Sequence, residues 1–380
     1  MKPDIKPNNP HFASGPCAKH QSWQLKDLED ALMSRSHRSK LAVRKIAETV
    51  KLTRQVLKIP ESYHVALISG SATGAMECLL WNFLGHRPVD VFAWDVFGQR
   101  WADDINKELK LKDVTVFQQG TILAQGHLHH DLVFTWNATT AGFCVSQETL
   151  IENSEDRLVL CDATSAAFAI PLPWPHLDAT AFSWQKGLGS EAGQGVIVLS
   201  PKAMQHLTTY QPAWPVPYLL KLVHNGQVNK LLFQGQTLNT LSMLLLEDVY
   251  QALKWCQKIG DISNLYERTL ENFQTIKAWV KRTPWIDFLE PRSEFQSPTS
   301  VCLKFTDDVT WDWIDKFYEL IEQEQAGFDL KNHRRASPSL RIWAGPTIEK
   351  ENIEALLPWL TWAYDCMQEA NNSTSVSDDT

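Results

Sequence analysis

The chain has 380 residues, 44% hydrophobic and 21% charged, with 36 basic against 44 acidic side chains for a net charge of −8. That length suits about two domains and a core large enough to need no staple, while the acidic balance lacks the electrostatic footprint of a nucleic-acid or anionic-membrane binder. No apolar run approaches the roughly 18 residues of a membrane span, residues 1–10 lack the apolar stretch of a signal peptide, and seven cysteines without a C-x-x-C pair suit a reducing compartment, so a cytoplasmic globular protein is expected.

Three prolines in the first ten residues predict an extended arm, set at 1–14. The periodicity then predicts helices from Trp23 to Met33 and from Leu41 to Leu57. Short apolar runs at 65–69, 89–94, 114–117, 131–136, 157–162, 178–184 and 195–200 read as strands. Helical patterns lie between several of them, notably Ala75 to Leu84 and Trp101 to Leu111. Strands alternating with helices predict an α/β fold whose mostly parallel seven-stranded sheet lies between helices. Past residue 238 come two long helical segments, then a strand at 300–305, a helix at 311–324, a strand at 340–344 and a helix at 348–369. This predicts a large domain over 15–259, a smaller α+β domain over 260–370 and a disordered tail over 371–380.

Ligands of an open α/β sheet sit beyond the carboxyl ends of its strands, so the residues directly after each strand carry the information. After 65–69 comes Gly70-Ser71-Ala72-Thr73-Gly74, opening into a helix. Small residues at a helix N-terminus form an anion cup, although a plain strand–helix turn would read the same. Neither nucleotide-binding glycine fingerprint occurs there. After 157–161 stands Asp162, which is either the cap of the next helix or a carboxylate awaiting a cationic partner. After 178–184 stand Gln185 and Lys186, before a glycine turn. An isolated lysine is by default a surface group, but burial makes its amine available for Schiff-base chemistry. An anion cup, an acid and a lysine at successive strand ends together make the set that pyridoxal phosphate requires. No metal is called for.

The segments SHR at 36–38, SGSATGAME at 69–77, NATTAG at 137–142, CDATS at 161–165, FSWQKGLG at 182–189, TLNT at 237–240 and LRIW at 340–343 resemble the phosphoserine aminotransferases. These are class V members of the fold-type I pyridoxal-phosphate enzymes. The likeness is nearest to their methanogen and proteobacterial branch and runs from about Phe12 to Met367. It implies a homodimer with shared active sites that transfers the amino group of L-glutamate to 3-phosphohydroxypyruvate, giving O-phospho-L-serine and 2-oxoglutarate, by a ping-pong route in serine biosynthesis.

The resemblance also implies roles. Lys186 would bond to the cofactor aldehyde and shuttle the proton, and Asp162 would pair with the ring nitrogen. Trp101 would stack on the ring, and Thr139 would hydrogen-bond its phenolic oxygen. Ala72, Thr73 and Gln185 would hold the phosphate, with Asn239 and Thr240 reaching in from the second subunit. Arg341 would take the substrate carboxylate, and His37, Arg38, His333 and Arg334 would recognise its phosphate. The stretch 333–341 is one residue longer than the family pattern, which leaves open whether Arg334 or Arg335 points inward. Thr73 stands where many relatives carry an arginine. Two other readings are an alanine–glyoxylate type aminotransferase or cysteine desulfurase, and a catalytically inert scaffold. The extra cations disfavour the alanine enzyme, Gln185 in place of a histidine disfavours the desulfurase, and the joint presence of Lys186, Asp162 and Thr139 disfavours the scaffold.

Overall fold

A computed structural model of the chain describes residues 1–375 except 147, 150 and 152–155. Seven strands form the main sheet: β1 (His64–Ser69), β2 (Val89–Ala93), β3 (Val114–Gln118), β4 (Asp131–Thr135), β5 (Val159–Asp162), β6 (Ala179–Ser183) and β7 (Gln194–Leu199). Their spatial order is β1-β7-β6-β5-β4-β2-β3. Only β7 runs against the others, pairing antiparallel with β1 through His64↔Leu199 and with β6 through Ala179↔Leu199. The remaining pairs are parallel. Burial on both faces explains why the inner strands read as apolar runs rather than as alternation, whereas the edge strand β3 is only half-buried. The covering helices are α1 (Lys40–Val56), α2 (Ser71–Phe83), α3 (Val96–Asp103), α4 (Pro201–Thr209) and α5 (Met243–Ile259).

A second unit follows. The helices α6 (Ile262–Lys281), α7 (Trp311–Gln323) and α8 (Lys350–Ser375) cover an antiparallel sheet of β8 (Ile286–Phe288), β9 (Ser300–Phe305) and β10 (Leu340–Trp343). The two cores change over within α6: Ile262 and Leu265 pack with the large sheet, whereas Phe273, Ile276 and Trp279 pack in the smaller core. Phe12 and Cys17 belong to that smaller core as well. Phe12 is fully buried, its N–H donates to the Phe328 carbonyl at 3.3 Å, and its own carbonyl accepts from Trp343 N–H at 3.1 Å. The N-terminal arm is therefore bound to the C-terminal unit by backbone hydrogen bonds and one buried aromatic ring.

All seven expected strands are present, but three helical expectations need correction. Residues 23–33 form only a 3₁₀ turn, Leu25–Leu28, because Leu25 and Met33 remain exposed and the segment offers no apolar face to bury. The helix expected from Trp101 begins five residues earlier, at Val96. Asp95 caps it, Oδ1 accepting from the N–H groups of Phe97 at 3.0 Å and Gly98 at 2.9 Å. Beyond Asp103 the backbone relaxes into a π turn, Asp104–Glu108. At the C-terminus α8 continues through Ser375, into the segment expected to be disordered, and 376–380 lie outside the described residues.

Candidate active site

The carboxyl ends of the parallel strands open onto a cavity of about 230 Å³. Its floor is laid by the residues just past β1, β4, β5 and β6, and its roof by the N-terminal arm and the smaller unit. At the end of β1, Gly70 takes a left-handed conformation with φ 85°, and α2 starts at once. A Cβ on Gly74 would lie 1.9 Å from the Ser69 carbonyl oxygen, so only glycine allows the helix to turn so tightly off the strand. Ser71, Ala72 and Thr73 of the first turn line the cavity; Ser71 N–H donates to the Gly193 carbonyl at 3.0 Å, and a helix leaves the next N–H groups without intrahelical partners.

Asp162 ends β5 with its carboxylate buried and held at both oxygens. Oδ1 accepts from Thr164 N–H at 3.0 Å and Thr164 Oγ1 at 2.5 Å, and Oδ2 accepts from Trp101 Nε1 at 3.1 Å. Burial pushes the carboxyl up from its ordinary value, while the Thr164 hydrogen bonds, the Lys186 charge and Trp101 pull it back. No helix follows Asp162 directly, so it caps none; its carboxylate closes a local turn with Thr164 and faces the cavity.

Lys186 stands just past β6 and is buried to 7% exposure. Burial pulls its ammonium down to about 8, helped by the Arg341 charge and opposed by Cys17, Asp162 and Asp95. The residues just past the arm pack against it: a Cβ on Gly15 would come within 3.0 Å of Lys186 Cε, and Cys17 N–H donates to the Gln185 carbonyl at 2.8 Å. Across the cavity, Lys186 Nζ lies 5.6 Å from the centre of the Phe97 ring.

Thr139 hydrogen-bonds Ser165 through its hydroxyl, and its carbonyl accepts from Ser300 Oγ at 2.9 Å on β9. The smaller unit contributes His333 and Arg341 to the cavity. Burial and the neighbouring arginines, Arg341 foremost, push the His333 imidazolium down. His333 Nδ1 accepts from Arg335 N–H at 3.2 Å, so the neutral ring carries its proton on Nε2.

Several polar atoms at this cavity are buried and have no partner among the described residues: Thr135 Oγ1, both amide atoms of Asn137, Gln185 Oε1 and Arg341 Nε. Buried polar groups are normally satisfied, so this concentration marks a place built for a polar ligand.

Of the residues singled out in the sequence, the cavity brings together Ala72, Thr73, Trp101, Thr139, Asp162, Gln185, Lys186, His333 and Arg341. His37, Arg38, Asn239, Thr240 and Arg334 do not line it within this chain. Asn239 Nδ2 instead donates to the Thr240 carbonyl at 2.9 Å, and His37 Nε2 is buried with no partner among the described residues. Arg335, not Arg334, lines the adjoining cleft beside Asp95, Arg100 and Thr140. Residues missed in the sequence include Phe97, Asn137, Thr135, Thr164 and Ser165. Phe97 was detectable, since it sits in the first turn after β2 and the rule of inspecting strand ends applies there equally.

The class-V aminotransferase family model matches residues 24–323. A curated phosphoserine aminotransferase from Methanosarcina mazei is 45% identical over 372 residues, covering 97% of this chain and 100% of the relative. Among solved structures, a phosphoserine aminotransferase from Cytophaga hutchinsonii superposes with a TM-score of 0.79 at 19% identity, covering 93% of this chain and 98% of its own. A PLP-bound phosphoserine aminotransferase from Trichomonas vaginalis gives 0.77 at 18% identity, covering 92% and 99%. At these identities the two structures speak for the fold.

Proposed function

The chain belongs to the class-V aminotransferases, and from that premise we propose that it transfers the amino group of L-glutamate to 3-phosphohydroxypyruvate, giving O-phospho-L-serine and 2-oxoglutarate. Its cofactor is pyridoxal phosphate. The residues fit that group: unpartnered buried polar atoms at Thr135, Asn137 and Gln185 surround a cavity that already holds an anion cup, a buried acid and a buried lysine.

In this reading Ala72 and Thr73 offer amides to the cofactor phosphate, with Gln185 beside them. Thr139 donates to the phenolic oxygen, and Asp162 faces the ring nitrogen. Phe97 and Trp101 both line the cavity and would offer aromatic surface to the ring, and Trp101 also positions Asp162 through its indole N–H. Bound there, pyridoxal phosphate supplies an aldehyde carbon and an electron-withdrawing ring that together acidify the substrate Cα–H bond. Lys186 Nζ takes the Cα proton, because burial keeps its amine from being locked as an ammonium. A positive nitrogen opposite Asp162 offsets the burial that pushes its carboxyl up, so the acid ionises when that partner arrives.

Arg341 takes the substrate α-carboxylate with its planar fork. His333 in the cavity and Arg335 in the adjoining cleft would meet the far, phosphorylated end of the substrate. Asn239 and Thr240, outside this chain's own cavity, complete the phosphate cup of a second copy in a homodimer, and His37 and Arg38 approach the neighbouring site in the same way.

The observation that carries this reading is Lys186 buried in one cavity with Asp162, Arg341 and His333. The visible absorption of the purified holoenzyme tests it. O-phospho-L-serine should bleach the yellow band, alanine and cysteine should not, and Lys186→Ala should keep its fold but lose turnover. Bleaching by alanine or cysteine alone would move the activity elsewhere in the class.

A further inference from the structure

Three side chains that no step of transamination uses converge near the amino ends of the strands, at the opposite edge of the sheet from the cavity. Asp90, the second residue of β2, is fully buried. The loop at 126–130, Gly-His-Leu-His-His, folds over it just before β4. His127 N–H donates to Asp90 Oδ2 at 2.5 Å. His127 Nδ1 lies 3.1 Å from Asp90 Oδ1, and His130 Nδ1 lies 2.8 Å from the same oxygen. The two imidazole centres are 4.3 Å apart, and the three potential ligand atoms fall within 4.8 Å of one another. A Cβ on Gly126 would come within 3.2 Å of Asp90 Oδ2, so the loop closes tightly over the carboxylate.

A carboxylate taken out of water needs a cation. Among the described residues, the ion-pair partners of Asp90 are these two histidines alone, and each is a cation only when protonated. We propose that Asp90, His127 and His130 bind a divalent d-block cation, zinc foremost, that fastens the 126–130 loop to β2. Two imidazole nitrogens and one carboxylate form a borderline donor set that favours zinc, cobalt or nickel over magnesium or calcium. Bonds of about 2.0–2.1 Å in a tetrahedron set ligand atoms roughly 3.3 Å apart, so the observed 2.8 and 3.1 Å need open by only a few tenths of an ångström. The backbone bond to Oδ2 is the outer-sphere contact that aims Oδ1 at the ion. His127 keeps 54% of its side chain exposed, leaving water free to occupy the fourth position. Arg157 donates to the His127 carbonyl at 3.2 Å and steadies the loop from its other side. Asp90 lies three residues before the end of β2, about 10 Å from the cavity edge, so loading changes stability and leaves turnover alone.

Cobalt(II) is the probe. Metal-free holoenzyme titrated with cobalt should take up one equivalent per chain and develop the visible d–d band of a tetrahedral site, which zinc then displaces. Zinc should raise the thermal midpoint in a concentration-dependent way. His127→Gln and His130→Gln should each abolish the band and weaken zinc by at least the ~10-fold that loss of even an outer-sphere partner brings, with turnover unchanged. His127 is exposed enough for its variant to fold whatever becomes of His130→Gln. No band and no midpoint shift in the wild type would overturn the proposal, as would an undiminished response in both variants.

Discussion

Trp101 Nε1 donates to Asp162 Oδ2 at 3.1 Å, so the indole of α3 shares with Thr164 the task of holding the acid at the end of β5. A hydrogen bond to a charged group contributes about 1.5–3 kcal/mol; its loss strips Oδ2 of its donor while Thr164 still holds Oδ1, so Asp162 protonates more readily. Trp101→Phe fills most of the same space without the donor. Turnover should therefore fall about 10- to 100-fold. The pH at which the cofactor's visible band titrates should move as well, which a purely structural change would leave in place. Absorption spectra across pH, alongside kcat and KM, decide it.

The amine of Lys186 gives a pH dependence with a definite sign. Burial disfavours the cation, so the neutral form persists to lower pH than in an ordinary lysine. With the ammonium pulled down to about 8, roughly one amine in ten is neutral at pH 7, against about three in ten thousand for a solvated lysine. Capture of pyridoxal phosphate by cofactor-free protein should accelerate about tenfold per pH unit below that point and level off above it. Stopped-flow absorbance measures this directly. A rate still climbing at pH 10 would show that the amine is not depressed.

Gly74→Ala should damage the phosphate cup more than the fold. The new methyl group would meet the Ser69 carbonyl at 1.9 Å, and relief comes only by moving the first turn of α2 away from β1. Overpacking of this kind costs about 1–3 kcal/mol. Weaker retention of the cofactor on dialysis should accompany a lowered denaturation midpoint.

The cations separate by substrate. Arg341→Lys keeps the charge but loses the fork, so KM should rise about tenfold or more for glutamate and O-phosphoserine alike. Arg335→Ala should raise KM for O-phosphoserine while sparing glutamate, because Arg335 lines the cleft next to the cavity. Arg334→Ala should do neither. Equal effects of the two alanine variants would place the phosphate elsewhere.

Local signals were enough for much of this protein. The strands were legible because those buried on both faces read as apolar runs, and the half-buried edge strand β3 still carries two valines and a phenylalanine. Lys186, Asp162 and the Ala72–Thr73 turn stand directly after such runs, where an open sheet binds its ligands. The family resemblance located Thr139 and Arg341, which no periodicity would single out. Helix starts were less legible. Asp95 moves the beginning of α3 by capping Phe97 and Gly98 through its side chain, a start signal that stands directly after the apolar run 89–94 and that hydrophobic periodicity does not read. Only the tertiary structure decided the strand order, the packing of Gly15 on Lys186, the docking of Phe12 in the C-terminal core, and the hydrogen bond from Trp101 to Asp162. The same holds for Asp90 and the histidines 37 and 40 residues further on. The physical reason is common to all of these: sequence patterns record which face of an element is buried, whereas contacts across the sheet depend on how separate elements pack against one another.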